Sequence, residues 1–244
     1  MNFLSTLVIF FIASAPLWSH ANLSIPKNLN SEERKSVLSV LGFGTASKVL
    51  TNPWALGGSQ GVEVSLRSEF ISVDSLAGLG SKTSTTGEYS YLTLSFSKGL
   101  FYNVDMEVFF TPLPQKEEVM VYGGQVRWSF WEAQNFPSCA TLVFHGSGAN
   151  FANQLDARTV GTDLIVTVSM KDAAIYFGGG TIRSVGTFLG GTNGIIASGE
   201  VADEDISDSH TVFGISMEAF KLNLSFEVDR VVQSSYSGKI GYRF

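Results

Sequence analysis

From residue 60 to the last residue, polar and apolar side chains alternate with a period of two in one short run after another. A period of two is the repeat of a β-strand whose two faces meet different surroundings. Each run has one face rich in Val, Leu and Phe and an opposite face of charged or small residues. We count ten runs, over residues 62–70, 91–96, 104–110, 125–130, 139–148, 160–170, 173–184, 213–218, 222–229 and 236–244.

The connections between the runs predict how the strands are arranged. The odd-numbered connections are mostly long, and lie at about 73–87, 111–118, 149–157, 185–208 and 232–235. The even-numbered ones are tight turns, near 98–99, 134–135, 171–172 and 220–221. An even number of strands with long connections at one end and short turns at the other is typical of transmembrane β-barrels.

We therefore predict an all-β fold, an antiparallel transmembrane β-barrel of about ten strands with a short N-terminal helical segment. Beyond the N-terminal region no uncharged run approaches the roughly 18 apolar residues of a membrane helix. A secreted β-sandwich is the alternative, because its hidden faces would alternate too. A sandwich does not require the regular succession of long and short connections.

The last nine residues end in an aromatic pattern, with Tyr242 and Phe244 on one face and Lys239 and Arg243 on the other. This pattern resembles the C-terminal signature of Gram-negative outer-membrane β-barrels, which ends in Phe preceded by alternating aromatic and apolar positions. The resemblance implies an outer-membrane location, contact with lipid and lipopolysaccharide, and a monomer. It also implies that Tyr242 and Phe244 act as an assembly signal for the barrel-assembly machinery.

The residues ahead of the barrel divide into two segments. Residues 1–21 have the pattern of a secretory signal peptide cleaved near Ala21, and an uncleaved membrane anchor is the alternative. Residues 22–58 form an N-terminal segment in which Asn30 and Glu33 have capping-box spacing before a helical repeat of apolar residues. We predict a short amphipathic helix there, in the periplasm or as a plug in the barrel, followed by the barrel domain at 59–244.

A turn rich in Pro and Gly, Asn52–Gly58, leads into the first strand. It resembles the approach to the first strand in FadL-like barrels. Those proteins are much longer and only this turn matches, so the resemblance assigns no binding residue in this chain.

Charge and cysteine content exclude several classes of function. The formal net charge is −6 and there is no basic patch, which argues against a nucleic-acid partner. Cys139 is the single cysteine, so an intramolecular disulfide cannot form.

The polar faces of the runs predict a charged lumen. Two arrangements are open: the charges pair and fill a narrow interior, or they line a thin aqueous path for small solutes or ions whose acidic excess favours cations. The predicted lumen-lining residues are Glu63, Arg67, Glu69, Asp105, Glu107, Arg127, Asp163, Arg183, Glu218, Glu227, Asp229, Lys239 and Arg243.

We predict a small channel or a structural or surface-interaction barrel, with no cofactor, no metal and no catalytic residue. The alternative is an enzyme. Asp208 and His210 resemble half of the active site of omptins, outer-membrane proteases in which an Asp–His pair activates water, but the second acidic pair of omptins is missing. His145 and Ser147 could form a Ser–His pair like that of outer-membrane lipid hydrolases. Those enzymes carry the pair on the lipid-facing surface, whereas the alternation here predicts that His145 faces inward.

Overall fold

The computed structural model describes residues 23, 25–52, 56, 58–81, 87–112, 119–190, 196 and 200–244. The predicted signal peptide, residues 1–21, lies outside this part of the chain, as do three residues of the predicted barrel-approach turn, 53–55, and residue 57. Helix α1 (Ser31–Gly44) precedes the strands β1 (Val62–Ser72), β2 (Glu88–Gly99), β3 (Val104–Phe110), β4 (Val119–Glu132), β5 (Ser138–Phe151), β6 (Leu155–Met170), β7 (Ala173–Leu189), β8 (Val201–Ala219), β9 (Leu222–Arg230) and β10 (Ser234–Arg243).

Each strand pairs antiparallel with the next, and β10 closes on β1, so the sheet forms a closed ten-stranded barrel. The predicted fold class is therefore confirmed. Within the described ranges, no helix is long and apolar enough to cross a membrane.

The outer surface of the barrel carries the apolar faces of the predicted runs. Large apolar side chains are exposed on every strand, among them Leu66, Phe96, Phe144, Phe213 and Ile240. A continuous apolar exterior of this kind is stable against lipid and not against water. The chain thus has the fold and surface of an outer-membrane β-barrel.

The barrel wall is uneven in height. We call the end with the β1–β2, β3–β4 and β7–β8 connections the mouth, and the end where β1 begins and β10 ends the base. Strands β7 and β8 have 17 and 19 residues, whereas β9 and β10 have 9 and 10. Since a tilted strand crosses a bilayer in about 9–11 residues, β7 and β8 extend beyond the membrane at the mouth.

This extension corrects two predicted connections. The segment 185–208 is mostly strand, with only 190–200 between β7 and β8, and 149–157 contracts to a turn at 152–154. Above the membrane the outward face meets water, so polar residues such as Asp203 and Asp205 replace apolar ones there. The period-two signal is lost although the strand continues.

Helix α1 begins at the predicted capping box. The Asn30 side chain accepts a hydrogen bond from the backbone N–H of Glu33 at 3.0 Å, and the Glu33 carboxylate accepts one from the N–H of Asn30 at 2.9 Å. Glu33 also accepts the N–H of Gly80, in the β1–β2 connection, at 2.9 Å. The hydrogen bonds that the Glu33 carboxylate accepts from the N–H groups of Asn30 and Gly80 hold the pKa of Glu33 below its usual range. The start of α1 is thereby tied to the mouth.

The last two turns of α1 lie inside the mouth. Val37, Leu38 and Leu41 are buried there in one apolar cluster with inward residues from β1 to β7. The wall contributes Ile71, Tyr89, Tyr91, Phe109, Val119, Val121, Ala149, Phe151, Leu155, Ala157 and Phe188 to this cluster. The interior is therefore apolar near the mouth and, as described below, charged toward the base.

Candidate functional site

The charged interior contains most of the predicted lumen-lining residues. Ten of them are buried on the inward face: Glu63, Arg67, Glu69, Asp105, Glu107, Arg127, Asp163, Glu227, Asp229 and Lys239. Glu218 and Arg243 lie at the base, where their side chains form an ion pair and remain partly exposed. Burial of so many charges requires partners, because an unpaired buried ion costs several kcal/mol.

Arg183 is the exception, and the prediction for it is wrong. In β7 the even-numbered residues are buried, so Arg183 points outward, and its Nε donates to Asp205 Oδ1 of β8 at 2.9 Å. The side chains of this pair are 60% and 46% exposed. The prediction failed because the three glycines Gly178–Gly180 do not show which residues of this run face inward and which face outward. The glycines do not interrupt the strand, since β7 runs unbroken through them.

Arg67 is at the centre of a buried charge network. Its Nη1 donates to Glu107 Oε1 at 2.8 Å and its Nη2 to Glu69 Oε1 at 3.3 Å. The guanidinium also lies 4.5 Å from the centroid of the Phe109 ring, at the boundary with the apolar layer. Arg67 is fully buried, so the carboxylates on either side of it replace its hydration shell.

Residues 45–52 pass through the barrel below α1, and the wall charges hold them. Lys48 Nζ donates to Asp229 Oδ2 at 2.7 Å. The Glu227 carboxylate accepts the backbone N–H groups of Val49 and Leu50 at 3.1 and 2.7 Å, and the Tyr176 hydroxyl at 2.8 Å. We call residues 45–52 the lumen segment. At its centre, side chains of the wall bond its backbone: the carbonyl of Lys48 accepts from Arg67 and Gln125, in addition to the bonds from Val49 and Leu50 to Glu227.

At the base, the wall charges close the barrel seam. Lys239 Nζ donates to Glu63 Oε1 at 2.6 Å and Arg243 Nε donates to Glu63 Oε2 at 2.8 Å. Asn223 adds a third hydrogen bond to Glu63 at 2.9 Å. The positive residues of β10 thus pair with β1, the strand on which the barrel closes.

At the mouth, a further ion pair ties α1 to the tall side of the wall. Arg34 Nε donates to Glu204 Oε1 at 2.9 Å, and the Ser31 hydroxyl donates to the same oxygen. Glu204 is inward and buried, although it belongs to a stretch of acids that the sequence presents as a loop.

Neither of the two candidate catalytic pairs, Asp208 with His210 and His145 with Ser147, has the arrangement that its proposed chemistry requires. Asp208 is exposed and accepts the N–H of Ser209. His210 is buried, with Nδ1 2.9 Å from Asp229 Oδ1 and Nε2 2.6 Å from Asp163 Oδ1. Asp208 therefore does not orient His210, and the resemblance to an omptin half-site does not extend to the geometry. His145 faces inward, as predicted, and not toward lipid.

Sequence reasoning missed two features of the interior. Lys48 lies in an irregular segment that has no periodicity, so nothing in the sequence marks it as buried. His145, Asp163 and His210 come together although they are far apart in sequence, because β5, β6, β7 and β8 are neighbours in the sheet. Alternation predicts that each of them faces inward but not that they meet at one height.

No family model matches the sequence, and no curated protein sequence matches it at a significant level. Solved β-barrels are similar in fold. The N-terminal barrel domain of Pseudomonas aeruginosa OprF aligns with a TM-score of 0.39 and 9% identity, over 77% of this chain and 99% of that one. Ail of Yersinia pestis gives 0.28 and 12%, over 76% and 99%. The Pseudomonas putida toluene transporter TodX gives 0.27 and 9%, over 91% and 78%.

Proposed function

We propose that this protein is a closed outer-membrane β-barrel with a structural or surface-interaction role, and that its lumen is not an open pore. The observation that supports this most is the position of Lys48. Its ammonium group is buried in the barrel, 2.7 Å from the wall carboxylate of Asp229. A chain segment therefore occupies the space that a conducting path would need.

Three obstructions follow one another along the barrel axis. The buried part of α1 fills the mouth, the lumen segment fills the middle, and Glu63 with its two cations narrows the base. A ten-stranded barrel is only slightly wider than one filled by its own side chains. The lumen segment and several arginine side chains therefore leave little room for water inside this barrel.

A gated channel is the second candidate, and the polar contacts of the lumen segment favour it. Water or ions could replace the hydrogen bonds of Lys48, Val49 and Leu50 if the segment moved, whereas water cannot replace the apolar contacts of α1 in the same way. In that case α1 would stay in the mouth as an anchor and only the lumen segment would shift.

We propose four further properties. The protein is a monomer, it contacts outer-membrane lipid and lipopolysaccharide through its apolar belt, and it is not an enzyme. Tyr242 and Phe244 serve the barrel-assembly machinery as an assembly signal. The exposed aromatic pair at the end of β10, with ring centroids 5.0 Å apart, supports the last of these.

Planar-bilayer recording separates the two candidates. We expect the unmodified protein to give no steady current steps, and Lys48→Ala to give brief, irregular openings because the lumen segment loses its charged anchor. Arg183→Ala, which changes a side chain on the outer face of β7, is the control. We expect it to give no current steps, like the unmodified protein. Long-lived current steps from unmodified protein would contradict the closed barrel. Silence that is broken reversibly by voltage would favour the gated channel.

A further inference from the structure

Three strands bring a pair of histidines and an aspartate to one point on the inner wall. One ligand atom each from His145, Asp163 and His210 lie within 4.8 Å of one another, and all three residues are buried. Asp163 is between the histidines, with Oδ2 3.3 Å from His145 Nε2 and Oδ1 2.6 Å from His210 Nε2. Ligand atoms of a tetrahedral zinc ion are about 3.4 Å apart when zinc–nitrogen distances are about 2.1 Å. Small side-chain movements would therefore bring the three atoms around one ion.

Two glycines leave room for this arrangement. Gly161 pairs with His145, and Gly180 lies between Asp163 and His210 in the sheet. A Cβ atom on Gly161 would sit 2.4 Å from His145 Nε2, and one on Gly180 would sit 2.5 Å from Asp163 Oδ1. A side chain at Gly161 would therefore crowd the His145 ring, and one at Gly180 would crowd Asp163 and the carbonyl of Thr162.

His145 supplies an independent indication that a ligand belongs here. Its side chain is 1% exposed, and neither ring nitrogen has a hydrogen-bond partner. Nε2 lies 3.3 Å from Asp163 Oδ2, within ion-pair distance but outside hydrogen-bond geometry. Buried polar atoms nearly always have partners, so a ring that points at a carboxylate without bonding to it requires explanation. A metal ion between them would bond to Nε2 of the ring and to an oxygen of the carboxylate.

The surroundings of His210 match the second shell of a metal site. Asp229 lies 2.9 Å from His210 Nδ1 and accepts Lys48 Nζ through its other oxygen. A carboxylate on one ring nitrogen fixes the proton there. The other nitrogen, Nε2, is hydrogen-bonded to Asp163 Oδ1 at 2.6 Å, and a metal would bind there by displacing its proton. Lys48 belongs to the lumen segment, so the same chain of contacts reaches the occupant of the barrel.

In the described interior, buried acids also outnumber the cations around them. Eight acids are buried there, and their partners are four buried cations and two partly exposed ones, Arg34 and Arg243. Arg243 is also shared with Glu218 at the base, so the buried acids exceed the cations, and a divalent cation would offset part of this excess. Protonation of both histidines would supply the same charge, so the experiment has to distinguish a metal from protons.

We propose that His145, Asp163 and His210 form a binding site for one divalent transition-metal ion of the zinc class. Two imidazoles and one carboxylate are a ligand set that zinc and its neighbours in the first transition row accept, and hard ions such as calcium prefer oxygen ligands. The bound ion joins β5, β6 and β8.

Zinc titration of the full folded barrel tests the proposal. The protein is purified in detergent without a histidine tag, stripped with a chelator and titrated with zinc chloride in a calorimeter. We expect one zinc per barrel, and a loss of affinity of at least about 100-fold for His145→Ala and for His210→Ala, since second-shell changes alone cost 10–100-fold. Asp203→Asn, which removes an exposed acid on the outer face, is the control and should bind as the unmodified protein does.

Two further measurements keep the result decisive. Gel mobility before and after heating shows whether each variant is folded, and His145→Gln replaces His145→Ala if the alanine variant is not. Cobalt substituted for zinc in the unmodified barrel should give visible absorption bands of a site with nitrogen ligands, and it needs no variant. Absence of stoichiometric zinc and of the cobalt bands would show that the cluster holds protons only. Zinc binding that all the histidine variants retain would place the ion elsewhere, and either result overturns the proposal.

Discussion

Replacing Arg67 with alanine is expected to lower the free energy of unfolding by about 3–5 kcal/mol, the range measured when one partner of a buried ion pair is removed. The guanidinium serves both Glu107 and Glu69, and all three side chains are at most 3% exposed. Its loss leaves two carboxylates with fewer partners in a site that water does not reach. The contact with Phe109 disappears as well.

The measurement is the denaturant midpoint of the barrel in lipid vesicles, followed by gel mobility without heating. Arg183→Ala is the matched control, because it removes an arginine–carboxylate pair of the same type from the outer surface. Exposed pairs contribute about 0–1 kcal/mol, so the control midpoint should hardly move. Equal losses from the two variants would mean that Arg67 is not buried or that Arg183 is.

Replacing Glu227 with alanine is the second change with a large expected effect. It removes the acceptor of three donors at once, namely the N–H groups of Val49 and Leu50 and the Tyr176 hydroxyl. Each buried donor left without an acceptor costs about 1–3 kcal/mol. We expect a loss of about 3 kcal/mol or more in the free energy of unfolding, together with a looser lumen segment.

Glu227→Gln is the matched comparison for this change. It removes the negative charge and keeps one amide oxygen, which at the position of Oε2 still accepts from Leu50 and Tyr176 but not from Val49. Hydrogen exchange at Val49 and Leu50 reports on the segment directly. The alanine variant should exchange much faster than the glutamine variant at Leu50, whereas both variants lose the acceptor of Val49 and should exchange faster there. Unchanged exchange in both variants would show that the lumen segment does not depend on Glu227.

The part of the fold that the membrane dictates could be predicted from the sequence. Within the bilayer, lipid outside and packed polar groups inside impose opposite requirements on successive residues, so runs such as 222–229 reveal both the strand and its faces. Above the bilayer both faces of β7 and β8 accept polar residues, and the alternation that would identify Asp203 or Ser207 as strand residues is lost. The full lengths of β7 and β8 could therefore not be predicted from the sequence.

The candidate site could be predicted only in part, for a different reason. Alternation indicates that Glu63 and Asp163 face inward, but the partner of each depends on strand neighbours and on the height at which they meet. It also says nothing of what fills the lumen. The capping box predicts α1, yet the pairing of Lys48 with Asp229 joins residues 181 positions apart, and no local pattern contains such information.

A cysteine pair tests most directly whether the N-terminal segment lies inside the barrel. A Cβ atom on Gly42 of α1 would lie 3.3 Å from the Cβ of Ser184 on β7, close to the roughly 3.5–4.5 Å found across disulfides. Gly42→Cys and Ser184→Cys are combined in a Cys139→Ser background, which removes the native thiol. The control pairs Gly42→Cys with Arg183→Cys, the neighbouring residue that faces outward.

Intact outer membranes carrying each pair are mildly oxidised, and disulfides are identified by peptide mass. We predict a 42–184 disulfide in most of the folded protein and none for 42–183. Free thiols at both positions of the first pair, with Cys at 42 labelled readily by a reagent that does not cross the membrane, would place α1 outside the barrel and contradict the closed lumen.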